Sequence, residues 1–241
     1  LALACDEGRF MDLATAVDDW AQLPLLFEPG TEFNYSVSTD VLGRLVEVLS
    51  GQSLDAFFQE RIFGPLGMTD TGFGPADPDR LAALYGPGLQ RNDRMGQAAL
   101  HAPRMLSGGG GLVSTAADYH RFTSMLVDEG APLLAPRTVR YMAQNHLPGG
   151  AELKAVARPT ISETQNDGMG FGLGFSVVLD PAAAKIACTP GEIAWGGLAS
   201  TAFWVAPQER LSVQFFTQML PSSAYPLRSQ LRQLVYQAML D

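Results

Sequence analysis

Apolar residues in the first half of the chain recur at helical spacing. Val17, Trp20 and Ala21 lie on one side of a helix predicted for residues 12–26, which Pro24 ends or bends. A proline-glycine pair then interrupts the helical pattern and leads into a turn-rich loop.

A second helix is predicted after this loop. Ser38 or Thr39 is expected to cap its first turn, because a side-chain oxygen there accepts a backbone N–H that lacks a helical partner. Gly51 is expected to end it. Its apolar face is predicted to consist of Val41, Leu42, Leu45, Val46 and Leu49. Ser53 is expected to cap the next, short helix, which closes at residues 65–68.

Residues 69–105 are rich in Gly, Pro, Asp and Arg, and we interpret them as a long, partly irregular excursion. Loops of this length often form functional lids or walls. Ser107 and four glycines follow, and such a run could cradle a phosphate at a helix N-terminus. No Gly-Lys-Ser or Gly-Lys-Thr comes after the glycines, so a tight structural approach of the backbone is the preferred interpretation.

Two further helices are predicted in the middle of the chain. Thr115 opens the first of them, and Asp118 three residues later makes an arrangement close to a capping box. We expect this helix to end at Gly130, and the other to span residues 136–145 with a proline in its first turn.

The hydrophobic period changes from helical to alternating near the last third of the chain. Residues 170–175 alternate apolar residues with Gly and Ser, which predicts a strand. Two further strands are predicted at 193–205 and 211–219, joined by a hairpin turn at 207–210. A terminal helix is predicted for 222–240, with Leu227, Leu231, Leu234, Val235 and Met239 on one face. Helices followed by an antiparallel hairpin and a last helix predict an α+β fold, an antiparallel sheet flanked by helices.

These elements are interpreted as one domain over residues 1–241. A mainly helical region, 1–165, contains the excursion 69–105, and the strands with the last helix occupy 166–241. A length of 241 residues also allows two small domains. The chain is 46% hydrophobic and 17% charged, so a substantial core is expected.

Composition and charge exclude several kinds of partner. The net charge of −9 argues against a nucleic-acid partner, which would require clustered Lys and Arg. No apolar run approaches the ~20 residues that a membrane-spanning helix requires. Cys5 and Cys188 are interpreted as two buried thiols rather than a disulfide framework. The compartment, cytoplasmic or secreted, stays open.

Tyr35 lies in the segment with the most specific pattern in the chain, Pro-Gly-Thr followed by Tyr-Ser, just before the second predicted helix. This segment resembles the second motif of the serine hydrolases with the β-lactamase and penicillin-binding-protein fold, and is closest to the class C β-lactamase-like esterases and transesterases. The resemblance implies a β-lactamase/transpeptidase-like fold with Tyr35 as a general base. A serine hydroxyl needs such a base to attack at neutral pH. The structural alternative is a tyrosine that packs its ring and hydrogen-bonds its hydroxyl.

The sequence Trp195-Gly196-Gly197-Leu198 is similar to the third motif of the same family, on the strand that lines the active site. Two glycines let a substrate lie close to the strand backbone. By the resemblance, the Leu198 N–H is half of an oxyanion hole, and Trp195 helps the 69–105 excursion to form the wall of the acyl or alcohol pocket. The alternative is a glycine bulge in an edge strand.

Two positions depart from the pattern of β-lactamases and D-Ala peptidases. Val37 stands where those enzymes usually carry Asn, and Trp195 replaces a cationic Lys that binds a substrate carboxylate. Val37, Trp195, Gly196 and Gly197 are therefore predicted to bind a small-molecule ester or amide of low negative charge. A β-lactamase or D-Ala-D-Ala peptidase is the second enzymatic hypothesis.

The first motif of the family, Ser-x-x-Lys, is absent from this sequence. Its two lysines, Lys154 and Lys185, have Ala151 and Ala182 three positions before them. We therefore interpret the chain as the C-terminal part of a carboxylesterase-like enzyme whose nucleophile lies upstream. Alone it is expected to be inactive, and poorly soluble or bound to another polypeptide, because the N-terminal part of the fold would be missing. A non-catalytic binding domain that has lost its nucleophile is the alternative from another class.

No other catalytic or cofactor pattern is present in the sequence. It lacks a Gly-x-Ser-x-Gly elbow, and His101, His120 and His146 lie far apart along the chain. No Cys or His cluster has metal-ligand spacing, so neither a metal nor another cofactor is predicted.

Overall fold

The computed structural model describes residues 12–158, 166–222 and 224–239. These residues divide into two compact units, each described below by itself. The first unit consists of residues 12–28, 35–83 and 92–121, and the second contains the described residues of 29–34, 84–91 and 122–239. The interpretation of residues 1–241 as one domain stays a prediction.

The first unit is built from helices. They are α1 (Leu13–Ala21), α2 (Ser38–Ser50), α3 (Leu54–Phe58), α4 (Gly64–Leu66), α5 (Asp93–Ala98) and α6 (Ala116–Val127). The division between the units falls inside α6, and a π-helical turn, Gln59–Phe63, joins α3 to α4. The core of this unit consists of Leu13, Ala16, Trp20, Leu54, Phe73 and Met105.

The start of α2 differs from the prediction, whereas its end is confirmed. Ser38 is already the first helical residue, Val37 occupies the N-cap position, and no side chain caps this end. Gly51 ends the helix in the left-handed conformation, with φ of 70°. Ser53 occupies the N-cap position of α3 as expected, but its side chain makes no capping bond.

The predicted apolar face of α2 is wrong. Four of its five residues are exposed, namely Val41, Leu42, Leu45 and Leu49, and only Val46 packs against the core. The buried residues of α2 are Asp40 and Gly43. Positions 40, 43 and 46 share one side of a helix. This side faces inward because Gly43 has no side chain to separate the helix from Leu13 and Leu54.

The excursion at 69–105 is largely irregular, as predicted. It contains α5 and short 3₁₀ turns at Pro78–Arg80 and Pro87–Leu89. Residues 84–91 belong to the second unit, where the Tyr85 N–H donates to the Gln218 carbonyl at 2.9 Å.

Half of the predicted capping box at α6 is present. The Asp118 N–H donates to the Thr115 hydroxyl at 3.2 Å. The Asp118 carboxylate is buried, and it accepts instead from the Asp70 N–H at 2.7 Å and the Thr71 hydroxyl at 3.0 Å. Arg121 pairs with the same carboxylate at 2.6 Å. Asp118 therefore fastens the start of the excursion to α6. The chain turns at Gly130, with φ of 102°, three residues after this helix ends.

The second unit contains one antiparallel sheet with the strand order β1-β2-β3-β4-β5. Its strands are β1 (Met169–Phe171), β2 (Ser176–Val178), β3 (Ile193–Gly196), β4 (Ala202–Ala206) and β5 (Leu211–Phe215). Its helices, besides the end of α6, are α7 (Pro136–Met142), α8 (Leu153–Val156), α9 (Pro181–Ala184) and α10 (Leu227–Ala238). Helices and an antiparallel sheet confirm the α+β class.

The strand predicted at 170–175 is wrong, because this segment turns back on itself. It forms the end of β1 and the connection to β2, in which the Gly172 N–H donates to the Phe175 carbonyl at 2.8 Å. Gly174 has φ of 105°, which only glycine adopts readily. Glycines at alternate positions thus mark a hairpin here rather than one continuous strand.

The long strand predicted at 193–205 is likewise two strands. β3 and β4 are separated by a turn at residues 197–201. Gly196 forms the last residue pair between the two strands, with Ala202, and Gly197 begins the turn. The strand predicted at 211–219 is shortened to β5. The hairpin turn at 207–210 is confirmed, with Arg210 in the left-handed conformation.

Both faces of the sheet are buried at its middle, where Ile193 and Val205 lie on one face and Trp204 lies on the other. On α10, Leu227, Leu231 and Val235 are half-buried as expected, and so is Met239 just after the helix, but Leu234 is exposed. Among the helices described, none is both long and apolar enough to cross a membrane.

Candidate active site

Tyr35 belongs to the first unit and stands three residues before α2. Its side chain is 42% exposed. The carbonyl of Val37 accepts the N–H groups of Asp40 at 3.0 Å and Val41 at 3.1 Å, which starts the helix. The half-buried Val37 side chain packs against the core of the unit. This anchor fixes the backbone two residues after Tyr35, while the phenol remains accessible to solvent.

Asp40 is a residue of this region that the sequence analysis missed. Its buried carboxylate accepts a hydrogen bond from the Ser107 hydroxyl and another from the Gly109 N–H at 3.3 Å. These bonds tie the glycine run to the helix that follows Tyr35. An acidic residue at the i−3 position to Gly43 was the available signal, since both lie on one side of the helix.

The glycine run makes the close backbone approach that was predicted. A Cβ on Gly108 would collide with the Thr39 carbonyl oxygen and would lie 3.2 Å from the Gly43 Cα. Only glycine allows this packing, so the structural interpretation of Gly108 is confirmed. Gly110, by contrast, has no neighbouring atom within 4 Å of a built Cβ.

The predicted third motif forms the end of β3 and the turn after it, within the second unit. The Gly197 N–H donates to the Thr201 carbonyl at 2.9 Å, and the Ser200 N–H donates to the Gly197 carbonyl at 3.1 Å. Leu198 lies at the tip and is 67% exposed. Within the part of the chain that the structure describes, the Leu198 N–H makes no hydrogen bond. The turn therefore offers one backbone donor to an outside acceptor.

Arg228 of α10 supports this turn, and the sequence analysis missed it. Its Nη2 atom donates to the Gly197 carbonyl at 2.7 Å and to the Thr201 carbonyl at 2.9 Å. A Cβ on Gly196 would lie 2.5 Å from the guanidinium carbon, so a larger residue there would displace the Arg228 guanidinium from its present position. No local sequence pattern reveals a contact between residues 31 positions apart.

Trp195 is half-buried in an aromatic series with Phe171 and Phe33. Its ring meets the Phe171 ring edge-on, with centroids 5.5 Å apart, and Phe171 meets Phe33 at 4.8 Å. Phe33 is held by two backbone bonds of 2.9 Å, one from its N–H to Val156 and one from the Arg158 N–H to its carbonyl. Trp195 thus packs within a group of three aromatic rings in the second unit.

A buried charged cluster joins α10 to the residue before β3. Glu192 is fully buried and accepts hydrogen bonds from Arg232 and from the Tyr236 hydroxyl. The Arg232 guanidinium also lies 4.8 Å from the centroid of Trp204. Burial raises the pKa of Glu192, and Arg232 opposes that shift. This cluster fixes the helix that carries Arg228.

Cys188 lies beside this cluster and is a free, half-buried thiol. Burial, followed by the nearby Glu192 charge, raises the pKa of the Cys188 thiol to about 11. The thiol is therefore protonated at neutral pH, which does not suit a nucleophile. The prediction for Cys5 lies outside the described residues.

The candidate residues are distributed between the two units. Tyr35 and Val37 lie in the first, whereas Trp195, Gly196, Gly197 and Leu198 form one continuous feature of the second. Among the described residues, no three of His, Cys, Asp or Glu are grouped so that they could hold a metal ion.

Comparison with known proteins gives consistent matches over most of the chain. The profile of the family described as Beta-lactamase matches residues 3–237. The chain is 36% identical to protein Rv1367c of Mycobacterium tuberculosis over 213 residues, covering 83% of this chain and 52% of that protein. It is 32% identical to esterase EstB of Burkholderia gladioli over 252 residues, covering 95% of this chain and 60% of that protein.

A solved structure confirms the expected fold. The chain superposes on EstCE1, a hydrolase with promiscuous acyltransferase activity, with a TM-score of 0.79 and 29% identity, over 93% of this chain and 61% of that one. The chain thus spans little more than half the length of the relatives it matches. The family profile and these similarities show that the chain belongs to the beta-lactamase family of serine hydrolases.

Proposed function

We propose that the intact protein hydrolyses carboxylic esters of small molecules through an acyl-serine intermediate. The observation that carries this proposal is the turn after β3, where two glycines precede the exposed Leu198, whose N–H makes no hydrogen bond among the described residues. Such a donor suits an oxygen that becomes negative in an acyl transfer. The similarity to an esterase supports the same reaction class.

The proposed nucleophile is the serine of a Ser-x-x-Lys motif upstream of this sequence. Tyr35 accepts the proton of the serine hydroxyl while the serine oxygen forms a bond to the acyl carbon. The N–H groups of Leu198 and of the serine bind the resulting oxyanion. When the bond between the acyl carbon and the alcohol oxygen breaks, the alcohol leaves with the proton from Tyr35. Water then attacks the acyl carbon while Tyr35 takes its proton, the bond between the acyl carbon and the serine oxygen breaks, and the serine oxygen recovers the proton from Tyr35 as the carboxylic acid leaves.

The proposed substrate is an ester without a carboxylate near the scissile bond. Val37 is apolar, and Trp195 stands where a lysine would bind such a carboxylate. The edge-on contact of Trp195 with Phe171 makes this part of the second unit apolar. Together with Gly196 and Gly197, Trp195 would accommodate a neutral acyl or alcohol group, which disfavours β-lactams and D-Ala-D-Ala peptides.

The test compares two polypeptides with p-nitrophenyl esters: this chain and a form extended upstream through the native coding region. Turnover by the longer form only, with a fluorophosphonate label on a Ser-x-x-Lys serine, would support the proposal and would show that this chain is inactive alone. If neither form reacts and no such serine is found upstream, the fold serves binding instead, and Tyr35 is structural.

A further inference from the structure

Arg228 contacts one of the two peptide groups that bind the oxyanion in the proposed mechanism, the Gly197–Leu198 group. Its Nη2 atom lies 2.7 Å from the Gly197 carbonyl oxygen. That carbonyl and the Leu198 N–H belong to the same peptide group, which is planar and trans. Their oxygen and hydrogen therefore point in opposite directions, so a bond that holds the carbonyl also sets the direction of the N–H.

The guanidinium provides more than an orientation. A hydrogen bond from a cation is stronger than one between neutral groups. It also polarises the amide that accepts it, which makes the N–H on the other side a better donor. The Ser200 N–H donates to the same oxygen at 3.1 Å, so the Gly197 carbonyl accepts two hydrogen bonds. The Leu198 N–H makes no hydrogen bond among the described residues and can donate to an oxyanion.

The rest of α10 holds Arg228 in this position. One turn further along the helix, Arg232 binds the buried Glu192, and Tyr236 donates to the same carboxylate. Glu192 directly precedes β3, the strand that leads into the turn. The second bond of Arg228, to the Thr201 carbonyl at 2.9 Å, ties down the other end of the turn.

We infer that Arg228 is a positioning residue that orients and polarises the Gly197–Leu198 peptide group for oxyanion binding. The inference rests on the proposed ester hydrolysis. Arg228 acts through the backbone and not on the substrate, so its loss should weaken stabilisation of the transition state more than substrate binding. The fall should therefore appear in kcat rather than in KM.

The experiment uses the intact, upstream-extended protein with four forms: wild type, Arg228→Met, Arg228→Lys and Val235→Ala. Met removes both the charge and the donors, whereas Lys keeps the charge and a donor. Val235→Ala removes apolar packing from the half-buried side of the same helix and none of the hydrogen bonds of the turn or of Glu192, and is the matched control. For each form, kcat and KM with p-nitrophenyl butyrate, the Tm, and the backbone ¹⁵N shift of Leu198 are measured.

The expected result is that Arg228→Met lowers kcat by about 10- to 100-fold, less than the ~10²–10³ that follows removal of an oxyanion-hole donor itself. KM should change little, and the Leu198 amide shift should move. Arg228→Lys should recover part of kcat. Val235→Ala should lower the Tm and leave kcat and the amide shift as in wild type.

Three outcomes would overturn the inference. One is an active wild type with an Arg228→Met variant within about twofold of its kcat, which would leave the proposed function intact. Another is an equal loss of kcat in Arg228→Met and Val235→Ala, which would show a general effect of helix stability. The last is an inactive wild type, which would overturn the proposed function and the oxyanion role together.

Discussion

Gly43 of α2 and Gly108 of the glycine run pack backbone against backbone, since a Cβ on Gly43 would lie only 3.2 Å from the Gly108 Cα. The contact explains why α2 turns its glycine inward and leaves Leu42, Leu45 and Leu49 exposed. It also places Asp40 beside Ser107, where the two side chains hydrogen-bond. The position of the helix that follows Tyr35 is thus fixed by the packing of glycines and by the hydrogen bonds of Asp40, whereas its leucines face solvent.

Gly108→Ala is expected to destabilise the protein, because the new Cβ would collide with the Thr39 carbonyl oxygen. Overpacking of this kind costs about 1–3 kcal/mol of unfolding free energy. Gly110→Ala, in the same run, has open space around its Cβ and should leave the unfolding free energy almost unchanged. Urea unfolding of the two variants tests this, and equal midpoints would contradict the packing described here.

Tyr35→Phe in the intact protein is expected to lower ester turnover by at least ~100-fold, the lower end of what loss of a general base costs. Stability should change little, since the Tyr35 side chain is 42% exposed. Tyr141→Phe, which removes another exposed phenolic hydroxyl, is the matched control. Initial rates with p-nitrophenyl esters measure the effect. Near-normal turnover by Tyr35→Phe would remove this residue from the mechanism.

Arg232→Met is expected to lower the free energy of unfolding by about 3–5 kcal/mol at pH 7, because it leaves the buried Glu192 carboxylate without its cation. The loss should shrink as pH falls. Burial raises the folded-state pKa of Glu192 above its ordinary 4.5, so the folded state binds more protons than the unfolded state between the two pKa values. The free energy of unfolding therefore falls as pH rises between the two pKa values. The fall is larger in Arg232→Met, because Arg232 no longer opposes the rise in the Glu192 pKa.

Denaturant unfolding of Arg232→Met between pH 4 and pH 8 gives the measurement. The double variant Glu192→Leu with Arg232→Met removes both charges, and it should be more stable at pH 7 than Arg232→Met alone. If the single variant unfolds with the same free energy at every pH, Glu192 does not titrate as the structure indicates.

Cys188 is expected to alkylate slowly, because thiolate is the reactive form and its pKa is raised from 9.0 to about 11. A shift of this size lowers the thiolate fraction at pH 8 by about 100-fold. Iodoacetamide labelling, read by peptide mass spectrometry so that Cys5 is distinguished, should show a Cys188 rate that rises steeply towards pH 11. Labelling of Cys188 at the rate of a free thiol at pH 8 would contradict the buried environment.

The sequence by itself determined the features that depend on local backbone geometry and on motif spacing. Gly51 ends α2 because glycine adopts a left-handed conformation at little cost. Residues 207–210 turn between two strands, and the turn begins at Pro207, whose ring fixes φ at a value suited to a turn. The Tyr35 segment and the Trp195–Leu198 sequence identified the family, and the Tyr35 segment lies just before a helix, as its pattern predicted.

The tertiary structure alone decided which residues face inward and which distant groups meet. The apolar residues of α2 predicted the wrong buried face. Their spacing gives no sign that Gly43, which has no side chain, lets the helix backbone approach its neighbours closely. The apolar residues at 193–205 predicted one continuous strand, but the glycine pair after Trp195 ends β3. Arg228 reaches the Gly197 carbonyl from another element, and nothing in the sequence near either residue encodes that bond. Spacing along a chain reports local conformation, whereas packing and charge pairing depend on where separate elements meet in space.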